Sequence, residues 1–280
     1  MTAMTTGLAR TAAEPSARFR DLLAAEWLKY RTLRSTPWSL LVATLAVLGF
    51  NVGNAWEHYI HWNMEHVAPA GFIAQGLPLL DAFGTNAALV TMIAASAIGA
   101  IAITGEFSTG LARTTFAAVP ARRAVMAAKV SIITAVTTAL GAVTAAASFG
   151  LTQAILSGRH AGIPISYPGA LQVVAASALL APLSALIGAA AGAIARRSAA
   201  AVAGSFVILL ILPLIIRDSS RLTAVIAHAL PFEAWDRLAA VPYPPGTAYP
   251  WTVTGAWIVY AAWALAAAVL AVTAVTRRDL

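Results

Sequence analysis

The chain has 280 residues, of which 60% are hydrophobic and only 10% are charged, and its mean hydropathy is +0.78. Soluble domains carry about a quarter of charged residues, so this composition indicates an integral membrane protein with about five to seven spans and no separate soluble domain. The net charge of +7 comes from cations near the ends of apolar segments rather than from one basic patch, which argues against a nucleic-acid partner.

The first 35 residues contain no apolar core, so they do not form a signal peptide. Residues 1–15 are small and polar, and we expect a disordered tail. Residues 16–35 place aromatic and leucine side chains at helical spacing among basic residues, which predicts an amphipathic helix in the membrane interface and is favoured over a disordered basic anchor. Ser16 is the expected cap and Pro37 the expected end of this helix. Its candidate interfacial residues are Trp27, Lys29, Arg31 and Arg34.

Six long apolar segments follow, and each is a predicted transmembrane helix. Together they predict an all-α integral membrane protein in which residues 16–280 form a single transmembrane domain. The expected spans are about 38–55, 85–104, 126–156, 169–195, 199–216 and 251–276.

Two of these spans contain small residues at four-residue spacing. Gly49 and Gly53 form a GxxxG pair in the first span, and Ser184, Gly188 and Gly192 form a ridge in the fourth. Small residues let another helix approach closely. For the ridge, packing within one subunit is favoured over a subunit interface, and both interpretations stay open.

Residues 56–84 contain Trp, Tyr and His but no Lys or Arg, which is typical of an external loop. Within them Glu57, His61 and Glu65 recur at a spacing that suits zinc. We favour a short amphipathic helix whose His and Glu side chains face water, because no other ligand cluster completes a coordination sphere. The absence of cysteine excludes thiolate sites and disulfides, and we expect no metal or other cofactor on this chain.

The segment from Gly105 to Lys129 separates the second and third spans. Its charged residues are Glu106, Arg113, Arg122, Arg123 and Lys129. Cations dominate, which predicts a cytoplasmic loop. Glu106 and Arg113 are seven residues apart, so on one continuous helix both side chains share nearly the same face and present a charged patch to a soluble partner. We expect the third helix to project from the membrane with Lys129 reaching towards water.

The distribution of positive charge predicts the orientation of the chain. If successive spans cross the membrane in opposite directions, fourteen of the 18 Lys and Arg residues lie on the side of the membrane that carries both termini. The other side carries Arg159, Arg217, Arg221 and Arg237, and also an amphipathic helix expected over 231–238 on the outer surface. The positive-inside rule therefore predicts that both termini are cytoplasmic.

Several mechanisms are disfavoured by what the sequence lacks. The predicted spans carry no charged residue near the middle, whereas ion-coupled carriers need such groups there. The chain contains neither HExxH nor GxxxxGK[ST], so it is neither a zinc protease of that type nor a P-loop nucleotide-binding protein. Energy for transport, if it is used, comes from another polypeptide.

Two short motifs and the six spans together carry a resemblance to a known family. The motifs are Glu26-Trp27-x-Lys29 with Arg34-Ser35-Thr36, and Glu106-Phe107-x-x-Gly110 with Arg113-Thr114-Thr115. From about Arg20 to its C-terminus the chain resembles the membrane subunits of the second, export-type family of ABC transporter permeases.

The resemblance implies a transport subunit rather than an enzyme, located in the cell inner membrane. It implies a separate ABC ATPase that binds ATP and Mg, and a second permease subunit that is identical or different. It places the ATPase contact at or near Glu106, Phe107, Gly110, Arg113 and Thr114. The expected substrate is amphipathic, drug-like or lipid-like. The alternative function, a non-transporting membrane anchor or assembly factor for a cytoplasmic partner, stays open.

Overall fold

The computed structural model of the chain describes residues 18–32, 35–65, 68–216, 219–244 and 246–276. Within these ranges the protein is a bundle of α-helices without strands. The expected tail, the interfacial residue Arg34 and the external residue Arg217 lie outside the described residues, as do residues 277–280.

Thirteen α-helices occur in the described ranges. They are α1 (Phe19–Thr32), α2 (Ser35–Glu65), α3 (Pro69–Ala74), α4 (Leu77–Ala82), α5 (Thr85–Ser108), α6 (Leu111–Ala118), α7 (Arg122–Ser157), α8 (Ala170–Ala195), α9 (Ser198–Phe206), α10 (Leu212–Ile215), α11 (Arg221–His228), α12 (Pro231–Ala239) and α13 (Val253–Thr273). A π-helical turn, Val207–Ile211, joins α9 to α10.

Six segments of the described chain are long and apolar enough to cross a membrane, which confirms the predicted all-α fold with six spans. They are Pro37–Trp62, Leu77–Ser108, Arg122–Ser157, Ala170–Ala195, Ser198–Ile215 and Val253–Thr273. These six segments indicate a multi-pass membrane protein.

Helix α8 is the centre of the bundle and contacts α5, α7 and α13. In its most apolar stretch 72% of the residues are buried. Glycines let the neighbouring backbones touch it. A Cβ atom on Gly188 would lie 1.9 Å from the Ser96 carbonyl oxygen, and one on Gly99 of α5 would lie 1.9 Å from the Ala185 carbonyl oxygen. A Cβ atom on Gly141 of α7 would lie 2.0 Å from the Ala178 carbonyl oxygen of α8.

The two small-residue motifs occupy different environments. The α8 ridge lies inside the chain: Ser184 is fully buried, and a Cβ atom on Gly192 would come within 3.0 Å of α5. A Cβ atom added to Gly49 or to Gly53 of α2 would meet no atom of a neighbouring element within 4 Å. No described helix of this chain therefore uses the α2 motif for close packing.

Several predicted boundaries are wrong, including those of the second span, which covers Leu77–Ser108 rather than 85–104. Helix α2 continues for 31 residues to Glu65, about 46 Å, so the expected loop after residue 55 is still helical. Pro37 lies in the first turn of α2 instead of ending α1, which is tolerated because first-turn N–H groups have no partner within the helix. Helix α7 begins at Arg122, four residues before the expected start of the third span.

The predicted amphipathic helix at 231–238 is present as α12. It was expected to lie on the outer surface, but one of its faces is buried in the protein core. Trp235 is 2% exposed and Leu238 is fully buried, both within the main core. Its apolar face packs against α8 and α13.

The glycine contacts of α8 predict a large effect of a very small substitution. Gly188→Ala places a methyl group against the Ser96 carbonyl, so we expect a loss of at least about 2 kcal/mol of stability. Gly150→Ala on α7 is the matched control, because its methyl group meets no atom within 4 Å and should be neutral or slightly stabilising. Thermal unfolding in detergent measures both variants. Equal midpoints for the two would show that α5 and α8 are not in backbone contact.

Candidate functional site

The bundle has two distinct ends. At one end the Arg196 guanidinium lies 5.4 Å from the centre of the Phe107 ring, and Thr104 Oγ1 lies 2.8 Å from Ser198 Oγ. We call this the α6 end, since α6 follows α5 there. At the opposite end, the α12 end, Arg159 donates a hydrogen bond from Nε to the carbonyl oxygen of Tyr59.

A break between α5 and α6 changes the direction of the chain. Helix α5 ends at Ser108, and Gly110 has a φ of 73°, a left-handed conformation that glycine adopts at low cost. The expectation that Glu106 and Arg113 share one face of a continuous helix is therefore wrong. Arg113 belongs to α6, and its side chain is not among those described.

Helix α6 is a short connector between two long spans. Of its described side chains, only Phe116 is buried, at 7% exposure, and the Arg122 guanidinium lies 5.7 Å from the centre of that ring. Leu111 is 44% exposed and Thr114 is also exposed. Among the described side chains of α6, Phe116 is thus the aromatic anchor, and most of the others face outwards.

Four charged side chains meet beside this connector, and we call them the charge cluster: Glu26 and Lys29 of α1, Glu106 of α5 and Lys129 of α7. Lys29 Nζ lies 2.6 Å from Glu26 Oε1 and 3.1 Å from Glu106 Oε1. Lys129 Nζ lies 2.7 Å from both Glu26 Oε2 and Glu106 Oε1. The contacts close a ring of alternating charge with no net charge.

Most of the cluster is withdrawn from solvent. The exposed fraction of the side chain is 7% for Glu26, 8% for Lys129 and 13% for Glu106. An unpaired charge at such a depth is very costly, so each of these groups depends on its partners. The ring therefore fixes α1 and the two helix ends that flank α6 relative to one another.

Lys29 is the most exposed member, at 35%. Partial burial alone lowers the pKa of Lys29, but the hydrogen bonds and negative charges of Glu26 and Glu106 outweigh burial and raise it above its ordinary value of 10.5. This contribution to stability is present below pH 10.5 and is lost only as the pH rises through the raised pKa. Lys29 is consequently charged throughout the physiological range.

The cluster changes the interpretation of two residues. Glu106, which is expected at or near the contact with a soluble partner, is paired within the chain with Lys29 and Lys129. Lys129 was expected to reach towards water, but it turns inwards. Trp27 and Arg31 lie on the exposed side of α1, which packs against α7, and the buried residue of that helix is Glu26.

A second group of polar side chains on α2 contacts the neighbouring helices. Its members are spaced seven residues apart, and we call them the polar row: Thr44, Asn51 and His58. Thr44 Oγ1 lies 3.4 Å from Thr144 Oγ1, Asn51 Nδ2 donates to Ser148 Oγ at 2.7 Å, and His58 Nδ1 lies 2.9 Å from both carboxylate oxygens of Asp81. Hydrogen bonds between membrane helices contribute only about 0.6 kcal/mol each on average. The row therefore specifies the position of α2 without binding it strongly.

The polar row also compensates a break between α4 and α5. The backbone N–H of Gly84 donates to Asn51 Oδ1 at 3.1 Å, and the carbonyl oxygen of Ala82 accepts from Ser148 Oγ at 2.7 Å. Backbone groups freed inside a membrane protein need such partners. Asn51 is 1% exposed, so its amide is a structural group.

A cavity of about 40 Å³ lies behind the polar row, between α2, α5, α7 and α8. Its walls are mainly Ala, Val, Leu and Gly, with Phe83 and Trp235 at the side of the α12 end. The polar side chains that line it are Thr44, Asn51, Thr91, Thr144, Ser148 and Ser177.

The His and Glu residues of the expected external loop have different partners and different exposure. His61 Nδ1 lies 3.0 Å from Glu57 Oε1, and both side chains are substantially exposed. His58 instead contacts the buried Asp81, so the expectation that it faces water is wrong. Among the described side chains no group of three or more His, Asp or Glu residues is placed to hold a metal ion, and the side chain of Glu65 is outside that set.

The charge cluster predicts strong non-additivity between two substitutions. Glu106→Gln leaves two lysines facing one carboxylate, so we expect it to cost about 3–5 kcal/mol of unfolding free energy. Adding Lys129→Met restores charge balance and should recover at least half of that loss. Glu57→Gln, an exposed carboxylate in a single ion pair, is the control and should leave stability unchanged. Chemical denaturation in micelles gives these values, and additive losses in the double variant would contradict a coupled cluster.

Searches against protein-family models and curated proteins found no match to this chain.

Proposed function

We propose that this chain is the membrane-spanning permease subunit of an ABC exporter, driven by a separate ATPase subunit. The observation that carries the proposal is the architecture around α6: a short, outward-facing helix joins two long spans whose adjoining ends share the charge cluster. A helix in this position is suited to receive force from a soluble partner. The resemblance of residues 26–36 and 106–115 to the second, export-type family supports the same conclusion.

Movement of α6 has a direct route into the membrane in this proposal. Glu106 lies at the end of α5 and Lys129 near the start of α7, and both bond into one ring. A displacement of α6 therefore moves both spans, and α1 follows because Glu26 contacts Lys129. Packed elements with two discrete arrangements transmit such displacements as rigid units.

The partners and the orientation follow from the same proposal. The ATPase docks at the α6 end, which is cytoplasmic, and it binds ATP and Mg while this chain binds no cofactor. The termini are also cytoplasmic, and the membrane is the cell inner membrane. A second permease subunit completes the pathway. The substrate is amphipathic and drug-like or lipid-like.

One observation favours a second function, a membrane anchor or assembly factor that binds a cytoplasmic partner without transporting a substrate. The cavity of about 40 Å³ is far smaller than the ligand pockets of about 300–1,000 Å³ that hold drug-sized molecules. Under this function the partner binds at the α6 end, but no substrate leaves the cell.

Orientation is testable because the chain has no native cysteine. A cysteine at Thr114 should react with a membrane-impermeant maleimide only after the cells are opened. A cysteine at Leu222, an exposed residue of α11 at the other end, should react in intact cells. Labelling of the Thr114→Cys variant from outside would contradict the proposed orientation.

Coupling is tested by matched substitutions of exposed leucines at the two ends. Leu111→Glu adds a charge to the proposed docking helix and should reduce the ATPase activity that co-purifies with the tagged chain at least tenfold. Leu222→Glu makes the same change in another eight-residue helix and should leave that activity unchanged. Equal effects of the two variants, with equal yields of folded protein, would exclude α6 as the contact.

Transport distinguishes the two functions. If ATPase association depends on Leu111 and the cells also show ATP-dependent efflux of a fluorescent amphipathic dye, the exporter function holds. Association without efflux of any tested compound supports the anchor.

A further inference from the structure

We propose that the cavity between α2, α5, α7 and α8 is a binding site for an uncharged amphipathic molecule that carries a hydroxyl or N–H donor, and that α2 is the movable wall through which it enters. This inference rests on the proposed function and names the substrate class of that function. The site lies within one chain, behind the polar row.

The chemistry of the lining selects an uncharged molecule. None of the residues that line the cavity, all of which are described, carries a charge. A charged ligand there would lose its hydration without gaining a counter-charge. The apolar part of a ligand has methyl groups of alanine, valine and leucine to contact, so the site suits a molecule that is mainly hydrocarbon.

Two hydroxyl groups of the lining can accept a hydrogen bond from that molecule. Thr91 Oγ1 donates to the Ala87 carbonyl oxygen at 2.8 Å, and Ser177 Oγ accepts from Trp235 Nε1 at 3.2 Å. A hydroxyl oxygen has two acceptor positions, so each of these groups retains capacity to accept from a ligand. A hydroxyl or amide N–H of the substrate is the complementary group.

In this structure the cavity is too small for the proposed ligand. About 40 Å³ is room for only a few water molecules. A larger molecule therefore enters only if one wall moves. Helices α5 and α7 are poor candidates, because their glycines bring them into backbone contact with α8 at Gly99 and Gly141.

Helix α2 is the wall that can move. In its most apolar stretch only 17% of the residues are buried, against 72% in α8. Its direct polar contacts with α7 include the pairs Thr44–Thr144 and Asn51–Ser148, and these hydrogen bonds can be exchanged for bonds to a ligand. Its outer face carries exposed apolar side chains such as Val42 and Leu45, which suits contact with lipid. Separation of α2 from α7 therefore opens the cavity towards the bilayer.

The test uses a cysteine reporter inside the cavity and a removable lock on α2. Thr91→Cys is the reporter, and its reaction with the uncharged reagent N-ethylmaleimide is timed in detergent. Thr44→Cys together with Thr144→Cys forms the lock, because the two side-chain oxygens lie 3.4 Å apart and sulfur atoms there can form a disulfide. Val143→Cys, on the exposed face of α7, is the matched reporter outside the cavity.

We expect oxidation of the lock to slow the labelling of the Thr91→Cys reporter at least tenfold and a reducing agent to restore it in the same sample. Reversal excludes misfolding as the cause. The Val143→Cys reporter should react at the same rate in both states. Equal labelling of the Thr91→Cys reporter with the lock closed and open, or no labelling in either state, would overturn α2 as the entrance.

The substrate class is tested by protection in the unlocked protein. At equal concentration and pH 7.5, n-hexanol should slow labelling of the Thr91→Cys reporter at least threefold, whereas hexanoate and hexylammonium, which are charged molecules of the same length, should not. No protection by n-hexanol, or equal protection by all three, would overturn the proposed ligand class. Neither assay involves an ATPase, so failure here is distinct from failure of the coupling test at Leu111.

Discussion

The structure depends on the burial of four charges where α1, α5 and α7 meet. Glu26, Lys29, Glu106 and Lys129 neutralise one another, and most of their surface is withdrawn from water. A buried ring of this kind adds little net stability, yet the loss of any member is costly, so it specifies geometry. It specifies the spacing of the two spans on either side of α6, which is the property that a coupling element requires.

Away from the charge cluster, the bundle is held in two different ways. Helices α5 and α7 touch the α8 backbone through glycines, and such contacts leave no room for sliding. Helix α2 is held by hydroxyl, amide and imidazole contacts of the polar row around a small cavity. The first arrangement consists of backbone contacts, and the second includes side-chain hydrogen bonds to α7. In our proposal α5, α7 and α8 therefore form a frame, and α2 is its movable wall.

The fold was largely predictable, because six apolar runs of membrane length dominate the sequence, and the four-residue spacing of small residues marks α8. The charge cluster was not predictable. Glu106 is 77 residues from Lys29, and composition does not show which charged side chains turn inwards. The seven-residue spacing of Glu106 and Arg113 suits a continuous helix, and the sequence signal for the break is the glycine between them, Gly110. The polar row also has a sequence signal, because Thr44, Asn51 and His58 recur every seven residues.

The central claim is that this chain is coupled to a separate ATPase, and the most direct measurement is the composition of the intact complex. The tagged chain is purified from its own membranes in a mild detergent, and mass spectrometry identifies and counts the polypeptides that remain bound. The account predicts a stoichiometric partner that contains a GxxxxGK[ST] motif and hydrolyses ATP in the eluate. Recovery of the chain alone, or with a partner that lacks any nucleotide-binding motif, would contradict the account.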